Sequence, residues 1–230
     1  MTASAAGRWA SGPSSMVPVD PSSIVNLVSV SLRKSIVSGG LPAGQCFTVS
    51  ELAAQLGVSH VPIREALRRL ESEGLVDMLP TKGGRVRPMN RDDVLGLFRL
   101  RLKLEPRLAI ESSSSLTADD RKRLEAILDR LHGRMIVGER LDVHRQFHLR
   151  LLRNAMSDWD FRIWNHVYTA TERYAGLRFA LEHEADADRR DHMPLLDAMK
   201  SGSESEVRTV TVEHIERNRH HILAMIDNVS

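Results

Sequence analysis

At 230 residues the chain suits one large domain or two small ones, and 42% apolar residues are ample for a packed core. No apolar run reaches the length of a membrane span, the start lacks the charged-then-apolar order of a secretory signal, and one cysteine, Cys46, excludes an internal disulfide. A cytoplasmic protein with no membrane partner is expected. The net charge of +2 is unevenly placed: residues 21–90 carry eight Lys/Arg against five Asp/Glu, and those from 91 onward carry 23 against 24. That split fits an anion-binding module ahead of a neutral domain.

Residues 1–20, rich in Ser, Ala, Gly and Pro, read as a flexible tail. A helix is predicted over 24–37, stopped by Ser38-Gly39-Gly40. Cys46 is expected to be buried and inert. Thr48 and Glu51 form a capping box opening a short helix with Leu52, Ala53 and Leu56 on one side, and Gly57 ends it. Ser59 is read as the N-cap of a second helix over 60–72, with Pro62 in the first turn, where its missing N–H costs little. At about 100° per residue, Ile63, Ala66, Leu67 and Leu70 share one face of it, and His60, Arg64, Arg68 and Glu71 the other. Residues 75–79 and 85–88 flank a glycine turn and read as a hairpin with a basic tip. Two helices on a tight turn, then a hairpin, make a winged helix-turn-helix, so 21–89 is drawn as a DNA-binding domain.

From Asn90, another cap, the pattern is helical to the end, in six segments near 91–112, 118–137, 139–155, 158–181, 186–201 and 204–228. Residues 90–230 are therefore drawn as an all-α six-helix bundle, and the fold class is mainly α. His144 and His148 lie within about 40° of each other on the face of Leu141, Leu151, Leu152 and Ala155. His214 falls among Val207, Val210, Asn218 and Met225, and also points inward. An unpaired buried imidazole costs roughly 1–3 kcal/mol, so converging histidines are either metal ligands or a hydrogen-bonded lining. His166 either lines this pocket or packs, and His220 and His221 read as surface. His183-Glu184 begins like a zinc-protease motif, but Ala187 stands where the second histidine belongs. With no G-x-S-x-G, phosphate loop or dinucleotide fingerprint, no enzyme is expected.

LRKSIVSGGLPAG at 32–44, VSELAAQLGVSHVPIREALRRLESEGLV at 49–76 and RVRP at 85–88 resemble the DNA-binding domain of GntR-family transcription regulators. RLKLE at 101–105, FH at 147–148, DHMPLLDAM at 191–199 and VEHI at 212–215 resemble the FCD ligand-binding domain of the FadR-like branch, and six helices place it near the vanillate-repressor-like subgroup. The resemblance implies that Arg64 reads guanine, that Arg68 and Ser59 hold phosphates, and that His60 sits where the family often has arginine. The wing, Thr81, Lys82, Gly83 and Arg85, would reach the minor groove or its phosphates. His148, His192 and His214 match the family's histidine ligands to a divalent metal, while His144 occupies its carboxylate position. An all-imidazole set favours zinc or nickel.

Arg101 matches a family arginine suited to a carboxylate effector, or else forms a salt bridge with Glu105. The expected protein is a repressor, a homodimer on a double-stranded DNA operator, controlled by a small carboxylate or sugar acid bound at the metal. Apolar residues of 95–108 are candidates for the dimer interface. The alternatives are a metal-sensing regulator and a metal-free effector pocket, with a metal-dependent enzyme behind both.

Overall fold

The computed structural model describes residues 21–80, 83–88, 90–131, 135–181 and 187–229. The expected tail, Thr81, Lys82 and the His183-Glu184 pair lie outside the described residues. The first half runs α1 (Pro21–Val37), β1 (Cys46–Phe47), α2 (Val49–Leu56), α3 (His60–Ser72), β2 (Val76–Leu79) and β3 (Gly83–Val86). The capping box is formed: Glu51 N–H donates to Thr48 Oγ1 at 3.1 Å, and Thr48 N–H donates to Glu51 Oε2 at 2.7 Å. Gly57 ends α2 in the left-handed region at φ 66°. Ser59 is at the N-cap position of α3 but makes no capping hydrogen bond, a correction to its expected role. Its hydroxyl is thereby left for another acceptor or donor.

The expected hairpin is part of a three-stranded antiparallel sheet in which β3 lies between β1 and β2, with Cys46 opposite Arg85 and Val76 opposite Val86. Two residues are too few to show a period of two, which is why β1 is invisible in the sequence. It also corrects the expectation for Cys46. Successive side chains of a strand point to opposite faces, so Phe47 enters the core and the Cys46 thiol is exposed. Val28, Leu32, Phe47, Ile63, Leu67 and Val86 belong to one core shared by α1, the helix-turn-helix and the sheet.

The second half consists of α4 (Arg91–Ser113), α5 (Ala118–Leu131), α6 (Val137–Leu152) with a 3-10 turn at Arg153–Ala155, α7 (Asp158–Leu181), α8 (Ala187–Ser201) and α9 (Glu204–Val229). Asn90 Oδ1 caps α4, accepting from Asp93 N–H at 2.6 Å. The fifth helix is described to Leu131, and Met135 and Ile136 are already outside a helix, short of the boundary expected at 137. Leu124, Leu128, Leu131 and Met135 keep a helical spacing although Met135 is not helical, so periodicity alone cannot mark the boundary. Val94 and Phe98 of α4 pack on Ile215, Ile222 and Ile226 of α9, and a larger core joins α4 to α5, α6, α7 and α8. Among the described residues no helix is long and apolar enough to cross a membrane.

The end of α1 is seated on α6 and α7. Val37, Leu141, Ala175 and Phe179 form a buried cluster between the halves. Only glycine fits beneath it, since a Cβ at Gly176 would lie 1.7 Å from the Val37 carbonyl oxygen. Buried Arg173 of α7 holds the linker after β3, donating to the Arg87 carbonyl at 3.2 Å.

Candidate metal centre and DNA-reading face

Three helices bring four histidines together. His144 and His148 are one turn apart on the inner face of α6, His192 comes from α8 and His214 from α9; all four are buried. The ligand nitrogens of His144, His148 and His192 all lie within 4.8 Å of one another. His148 Nε2 is 3.0 Å from His192 Nε2. The His214 ring stands beside them, its centroid 4.7 Å from that of His192 and 5.3 Å from that of His148.

Backbone carbonyls decide how these rings are protonated. His192 Nδ1 lies 2.6 Å from the Asp188 carbonyl oxygen, and His214 Nδ1 lies 3.3 Å from that of Asp191. A carbonyl oxygen can only accept, so each Nδ1 carries a hydrogen, and in the neutral ring the Nε2 is the unprotonated nitrogen, that of His192 within reach of His148 Nε2. His214 Nε2 is buried and has no hydrogen-bond partner among the described residues. His144 Nδ1 is 2.9 Å from the Tyr168 hydroxyl, which fixes that ring from behind. Burial first, and neighbouring imidazoles second, hold His148 and His214 well below the usual imidazole pKa. The neutral form they adopt is the one that ligates metal.

This donor set fits a cation. Outer hydrogen bonds orient ligand imidazoles in the manner metal sites use. Two donors each about 2.1 Å from one ion would be about 3.4 Å apart in a tetrahedral site and about 3.0 Å apart at right angles; His148 Nε2 and His192 Nε2, 3.0 Å apart, are near both and also at hydrogen-bond distance. A cavity of about 10 Å³ adjoins the cluster, bounded by His144, His192, His214, Asp191, Arg217 and Asn218, with exposed His221 at its edge. It has the room of a single water or ion.

Asp142 is exposed and reaches Lys34 at 3.5 Å, away from the histidines. The carboxylate beside the cavity is Asp191, overlooked in the sequence although it precedes His192 directly. Tyr168 was also overlooked; its only signal is one of two tyrosines in the chain lying on the face of Trp164.

Arg101 takes the salt-bridge option. Its guanidinium forks onto Glu105 at 2.6 and 3.1 Å with both side chains buried, and it lies over the Tyr168 ring at 5.3 Å. Its charge still reaches the cluster, helping to disfavour protonation of His148 and His214. His166 is not brought to the site. It is exposed, because two residues from Tyr168 is about 200° around a helix. His220 is exposed on α9, as expected.

On α3, His60, Arg64 and Arg68 are exposed, while Ile63, Ala66, Leu67 and Leu70 are buried. Arg68 Nη1 pairs with Glu65 Oε1 at 2.7 Å, but both are exposed, so the pair is worth at most about 1 kcal/mol and can yield to a phosphate. Gly83 has φ 91° and abuts β1, where a Cβ would lie 2.2 Å from the Phe47 carbonyl oxygen. Arg85 is on the central strand and leans toward Asp77 at 3.4 Å rather than toward the wing tip.

The gntR family of bacterial regulatory proteins matches residues 26–86, and the FCD domain matches residues 96–217. The chain is 24% identical over 202 residues to the uncharacterized HTH-type transcriptional regulator YdhC of Bacillus subtilis (strain 168), covering 85% of this chain and 89% of that one. It is 27% identical over 186 residues to a probable D-xylose utilization operon transcriptional repressor of Paenarthrobacter nicotinovorans, covering 78% and 80%. The solved structure of E. coli McbR/YncC has the same fold, with a TM-score of 0.76 at 21% identity, covering 92% of this chain and 100% of that one. Because the two domain matches fall in this order on the winged helix and on the helical bundle, the chain belongs to the gntR family of bacterial regulatory proteins, as a DNA-binding transcription regulator with a C-terminal FCD domain.

Proposed function

We propose that this regulator is a cytoplasmic repressor that binds its operator as a homodimer and is controlled by a small carboxylate or sugar acid. The effector would be taken up at a divalent cation, zinc or nickel, held by His144, His148, His192 and His214. The observation that carries this reading is the convergence of His144, His148 and His192 ligand nitrogens within 4.8 Å of one another, with the Nδ1–H groups of His192 and His214 committed to the Asp188 and Asp191 carbonyls so that their Nε2 atoms are the ones left to ligate. When bound, such an ion would supply positive charge, and it would offer a position to an anionic oxygen if it takes more than four ligands or if His214 stands off from the His144, His148 and His192 set. Tyr168 orients His144, and Arg101 adds cationic field from behind its pair with Glu105. Similarity to a probable repressor of a sugar-utilization operon supports the sense of regulation.

On the DNA side, Arg64 reads a base edge, while Ser59, Arg68 and the wing tip at Thr81 and Lys82 hold phosphates. The competing reading is a metal-free polar lining, favoured by the ability of His148 Nε2 to donate to His192 Nε2 at 3.0 Å. Elemental analysis of the purified protein, paired with operator binding across an effector titration, separates the two. His148→Ala should lose the ion, melt at lower temperature and respond weakly to effector while still binding DNA. A protein that takes up neither zinc nor nickel and still responds fully to its effector would overturn the metal reading.

A further inference from the structure

A second cavity, of about 380 Å³, lies between α1 on one side and α6 and α7 on the other, apart from the histidine cluster. That volume is in the range of small-molecule sites, roughly 300–1,000 Å³. Its polar lining is charge-balanced, three cations against three carboxylates, each cation facing a carboxylate. Arg33 forks onto Glu73 at 2.9 and 2.5 Å, and Arg145 meets Glu172 at 2.9 Å, all four side chains largely buried. The third pair is looser: Lys34 Nζ is 3.5 Å from Asp142 Oδ2, with the side chains 43% and 65% exposed. Gly138 leaves room for the Lys34 stem, since a Cβ there would lie 2.3 Å from Lys34 Cε. Val30, Val37 and Leu141 line the rest with apolar surface.

This lining discriminates by charge type. A ligand with a single net charge gains one contact and leaves the other member of the opened pair to water, so it gains less from this lining than a ligand that satisfies both members. A ligand carrying both charges can open the loosest pair and satisfy both members. We propose that this cavity binds a free α-amino acid with an aliphatic side chain, its carboxylate on Lys34, its ammonium on Asp142 and its side chain against Val30, Val37 and Leu141. Lys34 belongs to the winged-helix half and Asp142 to the helical half. The bound zwitterion therefore ties the halves together beside the Val37 seat and favours one placement of the recognition helix. This input is separate from the histidine cluster.

Calorimetry on the full chain tests it with four probes: L-leucine, its amide (cation only), 4-methylpentanoate (anion only) and D-xylose (neutral). Leucine should bind saturably, and the amide and the sugar at least about threefold more weakly. Asp142→Asn and Lys34→Gln alter exposed side chains and should each weaken leucine about threefold or more, with metal content unchanged. The His148→Ala variant should keep leucine binding, whereas binding of 4-methylpentanoate that is lost in this variant belongs to the histidine cluster. Absence of any saturable leucine heat, equal binding of the amide or the sugar, or a leucine affinity indifferent to both Asp142→Asn and Lys34→Gln would each overturn the assignment.

Discussion

Arg64 is exposed on α3, on the side away from the buried Ile63, Ala66, Leu67 and Leu70, so its side chain is free to enter a groove. Arg64→Ala should remove about 1–3 kcal/mol of specific operator binding, the worth of a bidentate base contact. The residual affinity should stay steeply salt-dependent, because phosphate contacts persist. Anisotropy titrations of operator and scrambled duplexes at fixed salt measure both, and a variant indistinguishable from wild type would reassign base reading to another residue. Buried His148 and His214 give a second expectation, for protein stripped of metal by chelation. Their folded pKa values lie well below the unfolded value of 6.5, so below pH 6.5 the unfolded chain binds more protons than the folded one. Stability should be flat above about pH 6.5 and fall as the pH drops through the window beneath it. The slope from each such group is up to about 1.4 kcal/mol per pH unit. Urea midpoints from pH 5 to pH 8 (about 6.5 at the centre) test the sign, and stability that rises on acidification contradicts it. At this scale the sequence shows which way His144 and His148 face, because that follows from helical period. It does not show that Tyr168 backs His144 or that Asp191 borders the cavity, because both contacts join different helices.

Short-range chemistry explains most elements. The Thr48–Glu51 box, Gly57 and the four-residue apolar face of α3 specify the helix-turn-helix from neighbouring residues alone. The strand β1 escapes such reading because its two residues are a strand only by pairing with β3, 37 positions later for Phe47 and 39 for Cys46, opposite Gly84 and Arg85. The seat of α1 on α7 is also long-range, and it sets a test with a built-in control. Gly→Ala inside a helix normally stabilises by about 0.5–1 kcal/mol. Gly176→Ala should instead destabilise by about 1–3 kcal/mol, since the new Cβ meets a backbone carbonyl that no rotamer change can move. Gly96→Ala in α4, with open space around its Cβ, should show the ordinary gain. Equilibrium denaturation of the two variants decides; a stabilised Gly176→Ala would mean that α1 is not held against α7 in solution.

For the whole molecule, one short recognition helix contacts few base pairs, and twofold repetition is the usual way to reach useful specificity. Light scattering should therefore give about twice the chain mass of 25.8 kDa. A monomeric mass combined with tight binding to a palindrome would remove the dimer from the proposal. Within 95–108 the apolar side chains mostly serve the cores, with Phe98 and Leu108 buried and Leu100 half exposed. Trp159 and Ile163, one turn apart on α7 and 73% and 52% exposed, are better candidates for contact with a second copy. Trp159→Ser should shift the equilibrium toward monomer, read by sedimentation at falling concentration. By itself the sequence determined the winged helix, the six following helices and the inward faces of His144, His148 and His214, because caps, turns and apolar period act within a few residues. Only the tertiary structure decided that His192 meets His148 across 44 positions, that Arg101 closes on Glu105 and that His166 points outward. It alone placed Val37 over Gly176. The rotation and offset of one helix against another are set by how whole side-chain surfaces interlock, and no local pattern records that.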